Sequence, residues 1–400
     1  MSSTVVSRNE DLKRLRDEGY DVAVGQGYLL VRGVPFVNEQ RQVGRGTLVS
    51  ALTLTGEHAE APDTHVVMWI GAFPCREDGT RIEQLSHEGG KDLGGGLTVD
   101  FGFSNKPAAG LPDHYAKMTH YANIIEGPAR VIEPEATSKT FPPVVPDADE
   151  QTPFRYIDTA TSRAKIGALT DRLKLSQVAI IGVGGTGSYV LDFVGKTPVW
   201  EIHLFDEDVF SSHNAFRAPG APSLEELEAR PLKVNYLAAI YEKMRSGVVA
   251  HDVPISAENA ETELEGMDFV FVCVDVAAAK GPIIEALERK GIPFVDVGMG
   301  LEAGGEELGQ ETLGGGVRAT LSTPERRDVV RASVSLADTA GDGEYDTNIQ
   351  IAELNALNAA LAVVKFKKHF GFYRDLSGTL NSVYMIDTES LVREEVDGEA

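Results

Sequence analysis

Gly182, Gly184, Gly185 and Gly187 fall between an apolar run, QVAIIGV, and a stretch of helical character, TGSYVLDFVGK. Glycines at this G-x-G-x-x-G spacing let a phosphate approach backbone N–H groups and the N-terminus of the helix that follows. Asp206 ends the next apolar run, EIHLFD, where a carboxylate can bind ribose hydroxyls. Such a loop serves two chemistries equally well, that of a nicotinamide or flavin enzyme and that of an enzyme using ATP.

The residues after Asp206 separate the two. In DEDVFSSHNAFRAPG, Asn214 and Arg217 stand three positions apart, and Lys233 follows at the start of a helical stretch. Hydride transfer takes place at the nicotinamide ring and needs no such polar and cationic set. Attack of a carboxylate on an α-phosphate does need it, because negative charge grows on nonbridging and leaving oxygens and must be met by fixed cations and metal. Two rival readings remain: an NAD(P)-binding oxidoreductase, and a non-catalytic module that senses nucleotide and docks a partner.

Glycine loop, Asp206, Asn214-x-x-Arg217, Lys233 and then Asp275 after the apolar run MDFVFVCV resemble, in order and spacing, the ThiF/MoeB/ubiquitin-activating superfamily. The closing stretch IQIAELNALNAALAVVKFKKHFG looks like that family's last helix and extends the likeness over residues 155–371. The resemblance implies ATP-dependent adenylation of the C-terminal carboxylate of a ubiquitin-like or sulfur-carrier protein, with release of pyrophosphate. It implies that Asp206 binds ribose, Asn214 and Arg217 contact phosphates, Lys233 steadies them and Asp275 holds Mg2+. It also implies a homodimer in which an arginine near FRYIDTATSR, Arg163 rather than Arg155, reaches the partner's site. A conjugating-enzyme-like protein is a further partner of the bacterial ubiquitin-like conjugation pathway this suggests.

The chain departs from the family pattern at its cysteines. Cys75 and Cys273 are the only two, which excludes a disulfide framework and the family's paired C-x-x-C zinc motifs. No cysteine follows Cys273, so transfer is expected to avoid a cysteine thioester. Thr320, Ser322 and Thr323 are the hydroxyls that could form an oxyester instead. Cys273, inside an apolar strand, is expected in the core, and Cys75, at a strand end, is expected to be more exposed. His203 reads as structural, Asp208 as a loop carboxylate, and His213 as a residue within reach of the nucleotide.

The elements needed to hold this set are those of a βαβ unit and its continuation. QVAIIGVGG, EIHLFD, MDFVFVCVD and IPFVDVG read as strands, with helices from Thr186, over 233–245 and over 280–290, which predicts an α/β, Rossmann-like, mostly parallel sheet. A smaller α+β domain is expected over 1–130, with a helix near Glu10 and strands in YDVAVGQGYLLVRGVPFVN and HVVMWIGAF. Five prolines among acidic residues in 131–153 read as a linker, which leaves 154–400 for the adenylyltransferase domain. The first domain resembles the N-terminal module attached to some bacterial ThiF proteins. Its segment with Lys106, Pro107 and Tyr115 is expected either to close the domain's own core or to dock a protein.

Composition limits the partners. Lys and Arg total 37 against 61 Asp and Glu, a net charge of −24, which repels polyphosphate backbones and speaks against nucleic acid. The sequence has no signal-peptide pattern and no apolar run long enough for a membrane span, so a cytoplasmic setting is expected.

Overall fold

The computed structural model describes residues 3–146, 151–274, 277–304, 312–328 and 349–394. The chain divides into two compact units, one of Met1–Gln151 with Tyr156–Lys165, the other of Thr152–Arg155 with Ile166–Ala400.

In the first unit, β1 (Asp21–Gly25), β2 (Tyr28–Val37), β3 (Val43–Ala51), β6 (Val67–Ile70), β8 (Thr98–Ser104) and β7 (Ser86–Asp92) pair in that order, antiparallel throughout. A two-residue pair, β4 (Leu54–Thr55) and β5 (His58–Ala59), stands apart. The helix Glu10–Asp17 forms where expected. A second helix, His114–Ile132, begins where Asp113 accepts a hydrogen bond from the Ala116 N–H at 2.6 Å, and it packs on β2. Leu12, Leu15, Trp69, Phe103, Tyr121 and Ile125 meet in the core between helices and sheet.

The segment with Lys106, Pro107 and Tyr115 leads into that second helix. Tyr115 lies against the Arg14 guanidinium at 3.7 Å and donates to Glu18 at 2.9 Å, so this side chain closes the unit on itself. The proline-rich stretch is shorter than its composition suggests, because the helix continues to Ile132 before the prolines begin.

The second unit is built on eight strands in the order β11 (Val248–His251), β10 (Glu201–Phe205), β9 (Gln177–Ile181), β12 (Phe269–Val272), β13 (Phe294–Gly304), β14 (Thr312–Ser322), β15 (Asn381–Met385), β16 (Ser390–Glu394). The pairings from β11 to β13 are parallel, and those from β13 to β16 antiparallel. The apolar runs seen in sequence are continuous because both faces are covered. Val178 and Ile180 of β9, with Phe269 and Phe271 of β12, enter one core layer. Ala179, Ile181, Val270 and Val272 enter the other.

From β9 the chain moves outward through β10 to β11, then crosses back to β12 on the opposite side of β9. That reversal opens a crevice at the carboxyl ends of β9 and β12, the place where open α/β sheets bind ligands. The helix Gly185–Val194 starts in this crevice, and the last helix, Ala352–His369, packs along it and against β13 and β14. Gly371, with φ of +70°, follows the last helix as expected of a C-terminal stop.

Candidate active site

The glycines of the loop differ in what they make room for. Gly182 has φ of +83°, and a Cβ there would lie 2.8 Å from the Cys273 carbonyl oxygen, so strand packing itself requires glycine. A Cβ on Gly187 would strike the Gly182 carbonyl oxygen, and one on Gly185 would strike the Asn355 amide. Only at Gly184 does a Cβ meet nothing within 4 Å. Gly184 is also the N-cap of the Gly185–Val194 helix, and no side chain caps it. The first N–H groups of that helix therefore have no side-chain cap among the described residues, and the positive end of the helix dipole lies there.

A cavity of about 310 Å³ occupies this position, with Gly182, Gly184, Gly185, Asp206, Arg217 and Lys233 in its wall. Asp206 is held by the loop it faces: it accepts from the Val183 N–H at 2.9 Å and from the Asp208 N–H at 3.0 Å. Lys233, buried at the start of the helix Lys233–Tyr241, lies 3.3 Å from Asp206 and 2.6 Å from Asp208. Asp208 thus has a partner in Lys233, where the sequence alone suggests only a loop carboxylate.

Arg217 lines the cavity with its Nε buried and lacking a hydrogen-bond partner among the described residues. Asn214 is buried in the short helix Ser212–Ala215, where its Oδ1 accepts from the N–H and hydroxyl of Ser211, each at 3.0 Å. Its Nδ2 is buried without a partner among the described residues, and the side chain does not contribute to the cavity wall. Two donors, on Asn214 and Arg217, are therefore unspent, which is costly unless an acceptor meets them.

Residues that sequence reasoning missed come from the last helix. Asn355 and Asn358, three apart on one helix face and almost wholly buried, both line the cavity. Asn355 Oδ1 accepts from the Thr186 hydroxyl at 2.8 Å, and its Nδ2 approaches the Arg217 carbonyl oxygen at 3.4 Å. Paired asparagines within the Ala- and Leu-rich first half of that helix were the available signal. At the far wall, Val297, Gly298 and Met299 follow Asp296, which is fully buried between Lys280 at 2.9 Å and Arg318 at 2.5 Å.

Other expected residues fall elsewhere. Asp275 lies outside the described residues. Arg163 belongs to the first unit, where its guanidinium stands 5.0 Å over the Phe141 ring. Arg155 is spent on the Glu242 carbonyl. His213 is exposed and bonded to the Ser211 hydroxyl, away from the cavity wall, and His203 pairs with His251 at 2.9 Å.

The two cysteines exchange their expected settings. Cys75 is fully buried, its thiol donates to the Phe73 carbonyl, and burial raises its pKa. Cys273 is half-buried on the cavity wall. Thr320 and Ser322 are fully buried, and Thr323 nearly so. The Thr320 hydroxyl is bound to Asn381 and that of Ser322 to Arg327, so none of the three is presented as an acyl acceptor.

Compared with known proteins, residues 159–306 match the model of the ThiF family. The chain carries a ThiF-family domain. Residues 10–159 match a domain of unknown function, DUF6791. No curated protein matches the chain.

Among solved structures, that of MccB from E. coli is 16% identical, with a TM-score of 0.48 over 71% of this chain and 80% of that one. MccB of E. coli with MccA-N7isoASN is 17% identical, with a TM-score of 0.48 over 59% and 70%. PaaA is 16% identical, with a TM-score of 0.44 over 58% and 76%. The ThiF-family match supports an adenylyltransferase-type activity of the second unit, and the glycine loop lies within the matched residues. Among the described residues, no helix is long and apolar enough to cross a membrane.

Proposed function

We propose that the protein adenylates the C-terminal carboxylate of a ubiquitin-like or sulfur-carrier protein with ATP. The observation that carries this reading is the buried Arg217 Nε, without a hydrogen-bond partner among the described residues, in a cavity that also holds Lys233 and the helix N-terminus at Gly184. These are devices for polyphosphate, placed against a strongly negative chain.

In this reading Asp206 accepts hydrogen bonds from ribose hydroxyls, and the N–H groups that open the Gly185–Val194 helix take the phosphates. A carboxylate oxygen of the carrier attacks the α-phosphorus, the bond from that phosphorus to the bridging oxygen breaks, and pyrophosphate leaves with that electron pair. Arg217 and Lys233 meet the charge that builds on the nonbridging and leaving oxygens. Magnesium, held by Asp275, would neutralise the departing pyrophosphate. A homodimer, with Arg163 reaching the partner's site, belongs to the same reading, as does work beside a conjugating-enzyme-like protein in a cytoplasmic pathway.

Calorimetric titration of the whole chain with ATP and magnesium, and separately with NAD, tests the proposal. The expected result is heat with ATP, none with NAD, and a loss of ATP affinity of about tenfold or more in Arg217→Ala. Heat with NAD alone would mean an oxidoreductase. ATP binding without any pyrophosphate exchange, across a panel of carrier proteins ending in glycine, would leave a nucleotide-sensing module.

A further inference from the structure

Asn358 lies on the closing helix at the cavity wall, about 1% exposed. Its Nδ2 donates to the Gly298 carbonyl oxygen at 3.0 Å. A carbonyl can only accept, so this bond determines which end of the amide is which. The remaining atom, Oδ1, is buried without a hydrogen-bond partner among the described residues. An amide oxygen in that position calls for an N–H or O–H from whatever enters the cavity.

Neither the triphosphate nor the attacking carboxylate can supply that proton, since at neutral pH both present acceptors only. The nucleoside has ribose hydroxyls and an adenine amine, but in the adenylation reading it is held at Asp206, which follows β10, whereas Gly298 lies on β13. Strands β9 and β12 lie between, so the two points are roughly 14 Å apart across three strand spacings. With the nucleoside at Asp206, the adenylation reading leaves the β13 side to the group whose carboxylate is activated. A peptide C-terminus carries a main-chain N–H two bonds from its carboxylate carbon, and a simple carboxylic acid does not.

We infer that Asn358 is a specificity residue whose Oδ1 accepts the last main-chain N–H of the substrate, so that the site selects a peptide C-terminus. This rests on the adenylation reading above. Asn355, one turn earlier, is already committed to Thr186 and to the segment of Arg217, which leaves Asn358 as the asparagine open to substrate.

ATP–pyrophosphate exchange with a matched pair of small acceptors tests this on the full chain. One is triglycine; the other is its analogue with the last amide N–H replaced by an ester oxygen. Wild-type exchange is expected to be about tenfold faster or more with triglycine. Asn358→Leu is expected to bring the two within about twofold. Equal rates for the pair in the wild type, a preference that survives in Asn358→Leu, or no exchange with either compound while ATP binds would overturn the inference. The amide–ester contrast in the wild type decides the matter even if the variant does not fold. If ATP itself gives no heat, the adenylation reading falls and this inference with it.

Discussion

The Thr186 hydroxyl donates to Asn355 Oδ1 at 2.8 Å, joining the first turn of the glycine-loop helix to the last helix of the chain. The same amide occupies the space beside Gly185 that a Cβ would need. The Asn355 amide therefore leaves no room for a side chain at Gly185. Gly185→Ala is expected to destabilise the second unit by about 1–3 kcal/mol in chemical denaturation. Adding Asn355→Ala is expected to return part of that loss, because the smaller side chain leaves room for the methyl group. Strictly additive losses in the two variants would show that the contact is not the cause.

Lys233 is shared between Asp206 and the exposed Asp208. A phosphate must compete with both carboxylates for it. Asp208→Asn is expected to tighten ATP binding by about two- to threefold and to weaken the dependence of binding on salt, measured by titration at two ionic strengths. Weaker binding in this variant would instead give Asp208 a direct part in holding the nucleotide or its metal.

The cysteines offer a chemical check on the cavity. Alkylation by iodoacetamide, followed by mass spectrometry of the native protein, is expected to modify Cys273 and leave Cys75 untouched, since only Cys273 lines the cavity and burial keeps the Cys75 thiol protonated. ATP is expected to slow the reaction at Cys273 by about tenfold if it fills that space. Prompt labelling of Cys75, or indifference of Cys273 to ATP, would contradict this placement.

Lys117 carries the pH dependence most open to test. It is fully buried in the first unit, its Nζ has no hydrogen-bond partner among the described residues, and burial lowers its pKa to about 8. The unfolded chain holds that proton to a higher pH, so the folded state bears a penalty below pH 8 that fades as the pH rises toward the ordinary lysine value. Lys117→Met is expected to stabilise the first unit by about 2 kcal/mol at pH 7, and by much less at pH 10. A gain equal at both pH values would rule out charge burial as its source.

Much of the second unit was legible because its signals are local. Strands β9, β10, β12 and β13 appear as apolar runs, the helix after Gly184 as a change of period, and the stop at Gly371 as a glycine after a helical stretch. The order Gly182 to Lys233 also carried the resemblance to the ThiF family, whose model matches residues 159–306. Strands β7, β8, β14 and β16 were not legible, because glycine-rich or polar segments such as SHEGGKD and TLGGGVRATLS become strands only through a neighbour's hydrogen bonds.

By itself, then, the sequence determined the apolar strands of the parallel sheet and the helices between them, since backbone preference and side-chain period act within a few residues. Tertiary structure alone decided which distant faces meet. It brought Asn355 and Asn358 of the last helix to a loop at 182–187, paired Lys233 with Asp208, buried Cys75 and placed Cys273 on the cavity wall. The reason is that strand order and crossovers choose those neighbours, and strand order is a property of the whole sheet rather than of any segment in it.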